Sequence, residues 1–278
     1  MDCLSLVIPA FNEAAVIARA IAEAEEALGQ CFLAFEVIVV DDGSSDPTAS
    51  VVKKALSTAK HTRLIRHESN RGYGAALRTG FEAARFPLVA FTDADCQFDL
   101  NELPSLAVLA AEYPIVAGYR VDRKDSCTRR FYSWGYNRLA RVLLGTRVRD
   151  VDCALKVFRR EVLTQLLPDS RGFFVNTEIL TRARQLGFPV VEVPVSHRPR
   201  ASGESKVSIR EIPRTAARLV RFWWSNVVMA PKSAPATPVV LQSRVVIPRD
   251  ASLPDRAPLP LSEPALPAGP RERHRGAA

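Results

Sequence analysis

From Leu4 to Ala117, short apolar runs alternate with stretches of helix-forming residues. Leu4–Ile8 is an apolar run that Pro9 is expected to end. Glu13–Leu28 is alanine-rich and predicts a helix. Phe35–Val40 is β-branched and apolar, a buried strand by composition and length. Asp46 followed by Pro47 has the pattern of an N-cap and a first helical residue, opening a helix through Lys54 toward Ala59. Thr62–Arg66 reads as a strand, Ala75–Ala84 as a helix and Leu88–Thr92 as a second buried strand. Leu100–Glu112 then reads as helix and Ile115–Ala117 as strand. Strands alternating with helices predict βαβ units, an α/β fold with a mostly parallel sheet. No internal repeat is visible.

In such sheets ligands bind at the carboxyl ends of the strands. Here those ends are polar: Pro9-Ala10-Phe11-Asn12-Glu13, Asp41-Asp42-Gly43-Ser44-Ser45 and Asp93-Ala94-Asp95 would line one edge. Asp41, Asp42, Asp93 and Asp95 should crowd together, and like charges so packed are costly unless a cation or a donor-rich ligand offsets them. Strand alternation sends residues i and i+2 to one side, which predicts Asp93 and Asp95 as paired hard ligands for Mg²⁺ or Mn²⁺, ions that commonly bridge to phosphates. Asp41 and Asp42 suit acceptance of hydrogen bonds from a base or ribose. A helix-capping Asp-Gly turn is the alternative, although Asp46 already serves that cap. Asn70-Arg71-Gly72-Tyr73-Gly74 joins a strand to a helix. Its glycines would allow a phosphate close to the helix N-terminus, or form a plain flexible loop.

Composition narrows the classes. The chain has 278 residues, 47% hydrophobic and 24% charged, enough for a packed core and not a wholly disordered chain. Apolar runs such as Val37–Val40 and Val227–Ala230 fall far short of the ~18 residues that cross a bilayer. The N-terminus lacks the basic region of a signal peptide. Five cysteines (Cys3, Cys31, Cys96, Cys127, Cys153) form no CxxC pair, so neither a zinc cage nor a disulfide framework is suggested, and a reducing cytosol is the simplest home. Ala230–Ala278 holds ten of the twenty prolines and no Phe, Trp or Tyr, the composition of a disordered tail over 229–278.

Charge is unevenly spread. Residues 118–149 carry a net +7 and residues 197–221 a net +5, so with +8 overall the rest carries −4. Two basic segments on a mildly acidic protein suit a phosphate-bearing or membrane-surface partner, or are simply solvated helix faces. Ile209, Ile212, Ala216, Leu219, Trp223 and Val227 fall at helical spacing, with Arg210, Arg214 and Arg218 on another face. This predicts an amphipathic helix over about 207–228 lying among lipid headgroups, and 127–145 is a second candidate. Packing on the core is the alternative. His61, His67 and His274 read as surface or loop histidines, while His197 sits beside Arg200–Lys206.

Taken together, these segments resemble the glycosyltransferases of family 2 with a GT-A (Rossmann-like) fold. Within that family they most resemble the dolichyl- or polyprenyl-phosphate sugar synthases. Three more stretches carry the likeness: Gln97 completing Asp-Ala-Asp-Cys-Gln, Asp150-Val151-Asp152-Cys153-Ala154-Leu155-Lys156-Val157-Phe158-Arg159, and Arg200-Ala201-Ser202-Gly203-Glu204-Ser205-Lys206. The resemblance covers about residues 1–228, which would form one GT-A domain. It implies a donor nucleotide-sugar site at Pro9, Asn12, Glu13, Asp41, Asp42, Asn70, Gly74, Asp93, Ala94 and Asp95. Asp93, Asp95 and Gln97 would hold Mg²⁺ or Mn²⁺ with the donor diphosphate. Asp95, Asp152 and Arg129 would stand at the reaction centre. Arg120, Arg129, Ser133, Arg200, Ser205 and Lys206 would bind acceptor or donor phosphates. Cys96 stands where the family often has an apolar residue, and the transmembrane extension of many relatives is missing.

The implied reaction is an inverting transfer of a hexose, with mannose favoured, from a GDP- or UDP-sugar to polyprenyl or dolichyl phosphate. It would occur on the cytoplasmic face of a membrane, to which the protein binds peripherally. A hydroxyl acceptor must lose a proton and needs a carboxylate base. A phosphate, with second pKa near ~6, is already largely an oxyanion and needs cationic positioning instead, which arginine supplies in bidentate form. The basic segments therefore favour a phosphate acceptor. A GT-A enzyme with a sugar-hydroxyl acceptor is the alternative. A non-enzymatic nucleic-acid-binding protein is disfavoured by the acidic strand ends and the lack of a known motif, so no nucleic-acid partner is expected.

Overall fold

The computed structural model describes residues 3–121, 135, 138–145, 148–199, 219–220 and 222–224. In chain order these form β1 (Leu4–Ala10), α1 (Ile17–Cys31), β2 (Phe35–Asp41), α2 (Thr48–Ala55), β3 (Thr62–Arg66), α3 (Tyr73–Ala83) and β4 (Leu88–Phe91). A 3₁₀ turn at Leu100–Glu102 leads into α4 (Leu103–Leu109). Then follow β5 (Ile115–Val121), β6 (Lys156–Arg159), α5 (Arg160–Leu163), α6 (Val175–Gln185) and β7 (Val190–Ser196). The expected helix over Leu100–Glu112 is thus shorter and begins as a 3₁₀ turn.

One seven-stranded sheet has the order β3-β2-β1-β4-β6-β5-β7. Among the described strands only β6 is antiparallel, to β4 on one side and β5 on the other. The strands read as near-continuous apolar runs because both faces are covered, as parallel sheets require. β1 and β2 are buried along their whole length. α1 buries Ile17, Ala20, Ile21, Ala24, Ala27 and Leu28, a stripe at helical spacing. α3 lies so close to the sheet that a Cβ on Gly80 would stand 2.2 Å from Val7 Cγ1.

Pro9 does not end β1, which continues to Ala10. The Leu4 N–H and the Ala10 carbonyl point toward the β2 side, whereas the Val7 carbonyl accepts from Thr92 beyond β4. Residue 9 therefore turns its nitrogen toward β4. The β1–β4 ladder stops at Val7, so the missing proline N–H breaks no bond.

The strand order reverses between β1 and β4, the switch point where a crevice opens outside the carboxyl ends. β6 runs the other way, so its amino end reaches that same edge, with Lys156 opposite Phe91 and Ala117. Ser196, ending β7, lies there too, opposite Val121.

Candidate active site

The ends of β1 and β2 are laced together. Asn12, in the left-handed region at φ 52°, uses Oδ1 to accept the Ser45 N–H at 2.9 Å, and its own N–H donates to Ser44 Oγ at 2.9 Å. The Glu13 N–H donates to Thr48 Oγ1 at 2.8 Å and the Ala14 N–H to Asp46 Oδ2 at 3.1 Å. Asp46 Oδ1 accepts the Thr48 N–H at 3.0 Å; α2 begins one residue later than expected, with Pro47 and not Asp46 at the N-cap position, and it stops at Ala55.

Asp41 is wholly buried; one oxygen accepts the Ser44 N–H at 3.0 Å and the other lies 3.1 Å from Arg66 Nε. Asp42 is 2% exposed and its carboxylate receives three donors: Arg71 N–H at 2.9 Å, Gly72 N–H at 2.7 Å and His67 Nδ1 at 2.7 Å. His67 is therefore not a surface histidine. It is buried, with Nε2 3.0 Å from Thr79 Oγ1. Both aspartates thus shape the loop around the expected base-binding crevice. Gly43, at φ 67°, lets the turn pass Ser69 and Asn70, where a Cβ would come within 2.4 Å of backbone.

The glycines of Asn70–Gly74 serve a different close approach from the one expected. The Gly74 N–H donates to Arg171 O at 2.8 Å, and a Cβ there would lie 2.0 Å from Ser170 O. Protein backbone fills the place at the start of α3 that the sequence reading gives to a phosphate. That backbone is held by Glu178, which accepts the Asp169 and Ser170 N–H groups at 3.0 and 2.9 Å. Asn70 is exposed.

Tyr73, the first residue of α3, reaches the acidic edge. Its hydroxyl donates to Asp93 Oδ1 at 2.9 Å, and its ring stacks on Phe173 with centroids 5.2 Å apart. Burial, and then the neighbouring Asp93 carboxylate, hold its pKa well above the ordinary tyrosine value, so it remains a donor.

Asp93 and Asp95 are brought together by a turn, not by strand alternation: β4 ends at Phe91, and Cys96 at φ 57° reverses the chain. Asp93 is half-buried, Asp95 and Ala94 are buried. Burial, with the Asp95 charge beside it, raises the Asp93 pKa to about 6. Asp95 Oδ1 accepts the Gln97 N–H at 3.3 Å. Gln97 Nε2 donates to Arg198 O at 3.1 Å, and the Arg198 N–H donates to Gln97 O at 2.8 Å. This zips the acidic turn to the chain leaving β7, reinforced by Arg198 to Asp99 at 2.7 Å.

Among the described residues no cluster of three or more His, Cys, Asp or Glu side chains is arranged to hold a metal. The donor set fits a divalent cation that takes two carboxylates from protein and the rest from a diphosphate and water, the usual manner of Mg²⁺. An amide that donates through Nε2 to Arg198 keeps its carbonyl oxygen as the ligand atom Gln97 could offer.

The Asp150–Arg159 segment enters the same edge. The Arg120 fork grips Asp150 through Nε at 2.7 Å and Nη2 at 2.8 Å, with both side chains buried. Arg120, which the resemblance assigns to a phosphate, has this bidentate partner in the structure. Asp152 is half-buried, and the Tyr73 hydroxyl lies in the fields of Asp93, Asp152 and Asp95 together. Burial pushes the Cys96 thiol to about 11 and the Cys153 thiol to about 12, leaving both unreactive near neutrality.

Arg129, Ser133, Arg200, Ser205 and Lys206 lie outside the described residues. So do most of the two amphipathic segments and all of 229–278. Where the segments are described, Ala140, Leu144, Leu219 and Phe174 form a small buried cluster with Leu143, Phe222 and Trp223 against it. Leu219 and Trp223, expected on a lipid-facing stripe, thus pack on protein, whereas Val142 (71%), Val220 and Trp224 (55%) are exposed. Among the described residues no helix is long and apolar enough to cross a membrane. Lys156, Glu178 and the role of Tyr73 were not legible as site features; for Lys156 the available signal was a lysine inside an apolar run, Ala154-Leu155-Lys156-Val157-Phe158.

The chain is similar to known proteins. Residues 5–167 match the family described as "Glycosyl transferase family 2". Glycosyltransferase AglD of Haloferax volcanii is 35% identical over 237 residues, 81% of this chain and 38% of that protein. The undecaprenyl-phosphate 4-deoxy-4-formamido-L-arabinose transferase of Pseudomonas aeruginosa is 34% identical over 211 residues, 75% of this chain and 61% of that protein. The chain thus spans less than two thirds of the length of these curated relatives. Among solved structures, glucosyl-3-phosphoglycerate synthase of Mycobacterium tuberculosis, crystallised with Mn²⁺, UDP and phosphoglyceric acid, superposes with a TM-score of 0.65 at 22% identity. That match covers 81% of this chain and 78% of the other, a likeness of GT-A fold. The family match takes in more than half of the chain, from β1 through the acidic turn to the segment that closes on Arg120, and on that ground the protein belongs to glycosyl transferase family 2.

Proposed function

We propose that the protein transfers a hexose, with inversion, from a nucleoside-diphosphate sugar to a polyprenyl phosphate at a membrane surface, aided by Mg²⁺ or Mn²⁺. Mannose and GDP are the first sugar and nucleotide to test. The observation that carries this reading is the pair Asp93 and Asp95 just past β4 at the β1/β4 switch point, with Asp93 held by the Tyr73 hydroxyl at 2.9 Å. So acidic a crevice suits a cation and a diphosphate. A relative whose name includes an undecaprenyl-phosphate acceptor supports the lipid phosphate.

The residues divide the work as follows. Loops after β1 and β2, fixed by Asn12, Asp41 and Asp42, would enclose the base and ribose, with Pro9, Glu13 and Asn70 at the rim. Asp93 and Asp95, with Gln97, would hold the cation. The ion, when bound, supplies charge that stabilises the departing diphosphate. Tyr73 keeps Asp93 oriented, and Asp152 faces the sugar. The acceptor arrives as an oxyanion, so it needs positioning and no general base. Arg129, Ser133, Arg200, Ser205 and Lys206 are assigned to that positioning and to the donor phosphates. Exposed Val142, Val220 and Trp224, with the exposed Arg138 and Arg141 on the same stretch as Val142, would touch the lipid surface on the cytoplasmic face.

The test is one panel: GDP- and UDP-hexoses with a short polyprenyl phosphate or a sugar-alcohol acceptor, with EDTA and with Mn²⁺ or Mg²⁺ restored. Lipid-phosphate product that vanishes with EDTA and returns with metal is expected. Turnover that survives metal removal, or product only with the hydroxyl acceptor, defeats the proposal.

A further inference from the structure

Lys156 opens β6 at the edge of the sheet that carries the acidic turn, yet it is 1% exposed. Its ammonium donates to Val151 O at 3.0 Å, to Cys153 O and to Asn176 Oδ1 at 3.4 Å, and lies 5.4 Å from the centre of the Phe91 ring. All three acceptors are neutral; burial works against the ammonium, and the nearby Asp150 and Asp152 carboxylates work for it. Its neighbours along and across the sheet, Leu155, Val157, Phe158 and Phe91, are fully buried and apolar. Packing alone would accept a methionine there.

What the ammonium does is local. Val151 O and Cys153 O flank Asp152, so one cation holding both carbonyls closes a turn with Asp152 between them. The base of that turn is fixed independently: Arg120 holds Asp150, and the Gly118 N–H donates to Leu155 O at 2.8 Å. Across the sheet, Lys156 pairs with Phe91, two residues before Asp93.

We infer that Lys156 is a positioning residue for sugar transfer: by capturing the two carbonyls around Asp152 it sets that carboxylate at the reaction centre, and its charge stands behind the Asp93–Asp95 pair, moderating how tightly a divalent cation is held. The inference rests on the donor-and-metal role proposed for that pair.

The experiment compares wild type with Lys156→Met, Lys156→Arg and Asn176→Asp. It measures thermal midpoint, Mn²⁺ affinity without donor, and kcat and KM separately. For Lys156→Met the expected result is a fold retained, kcat reduced about 30-fold or more with donor KM changed less than about threefold, and Mn²⁺ bound several-fold tighter. Lys156→Arg should keep Mn²⁺ affinity near wild type while lowering kcat. Asn176→Asp places an anion beside the ammonium without removing it, and should also tighten Mn²⁺; it decides the matter if Lys156→Met does not fold. Mn²⁺ affinity and kcat falling together with the thermal midpoint would mark a merely structural lysine and overturn the inference. So would folded variants that match wild type in both. Wild type that binds no Mn²⁺ would overturn the reading of Asp93 and Asp95 as well, a different failure from variants that leave a working metal site unchanged.

Discussion

The hydroxyl of Tyr73 donates to Oδ1 of Asp93 at 2.9 Å, joining the first turn of α3 to the residues just past β4. A hydrogen bond to a charged group is worth about 1.5–3 kcal/mol, so Tyr73→Phe should lower kcat/KM by roughly 10- to 100-fold. Because this bond favours the ionised carboxylate, the same variant should move the acid limb of the pH profile upward. Steady-state kinetics across pH checks both.

Asp93 titrates near 6 in the folded protein against 3.8 as an ordinary side chain, raised by burial and by Asp95. The folded metal-free protein therefore binds a proton that the unfolded chain has released between about pH 4 and 6. Its stability should fall as pH rises through that window and level off above it. A divalent cation must displace the same proton, so Mn²⁺ affinity should weaken about tenfold per unit below pH 6 and be flat above. Denaturation midpoints and Mn²⁺ titrations over pH 4–8 test the two halves separately.

Asp42→Asn places an amide where a carboxylate accepts from Arg71, Gly72 and His67. At least one buried donor then loses its acceptor, at a cost of about 1–3 kcal/mol. The thermal midpoint should drop by roughly 3–10 °C and donor KM should rise, since the loop after β3 is no longer held. His67→Ala should cause part of the same loss.

Gly74→Ala drives a Cβ into the Ser170 carbonyl. Overpacking of this kind costs about 1–3 kcal/mol, whereas Arg71→Ala next door, at an exposed position, should change stability by less than about 0.5 kcal/mol. Urea unfolding of the two variants measures the contrast.

The alternation of apolar runs and helix formers made β1 to β5 legible, because a parallel sheet covered on both faces writes its strands as continuous hydrophobic segments. The acidic turn was legible for the same reason: carboxylates directly after such a run stand out. What was not legible depends on residues far apart in the chain. Gly74 looked open to a phosphate because Ser170 and Arg171, which fill that space, come almost a hundred residues later. His67 looked like a loop histidine because its partners, Asp42 and Thr79, come from two other elements. Arg120 advertised a charge for phosphate, and only tertiary structure gives it Asp150. Asp93 and Asp95 were expected to pair for the wrong local reason, a pleat where the chain makes a turn.

β6 has one further consequence. The chain departs from β5 and comes back at Lys156, on the strand hydrogen-bonded to the one it left, at the catalytic rim. That pairing does not depend on the sequence between Val121 and Asp150, so this stretch can drift over evolution without shifting the register of β5 against β6. Such a plan lets one inherited scaffold be refitted for new recipients, so exchanging this stretch between relatives should redirect what receives the sugar while leaving what supplies it unaltered.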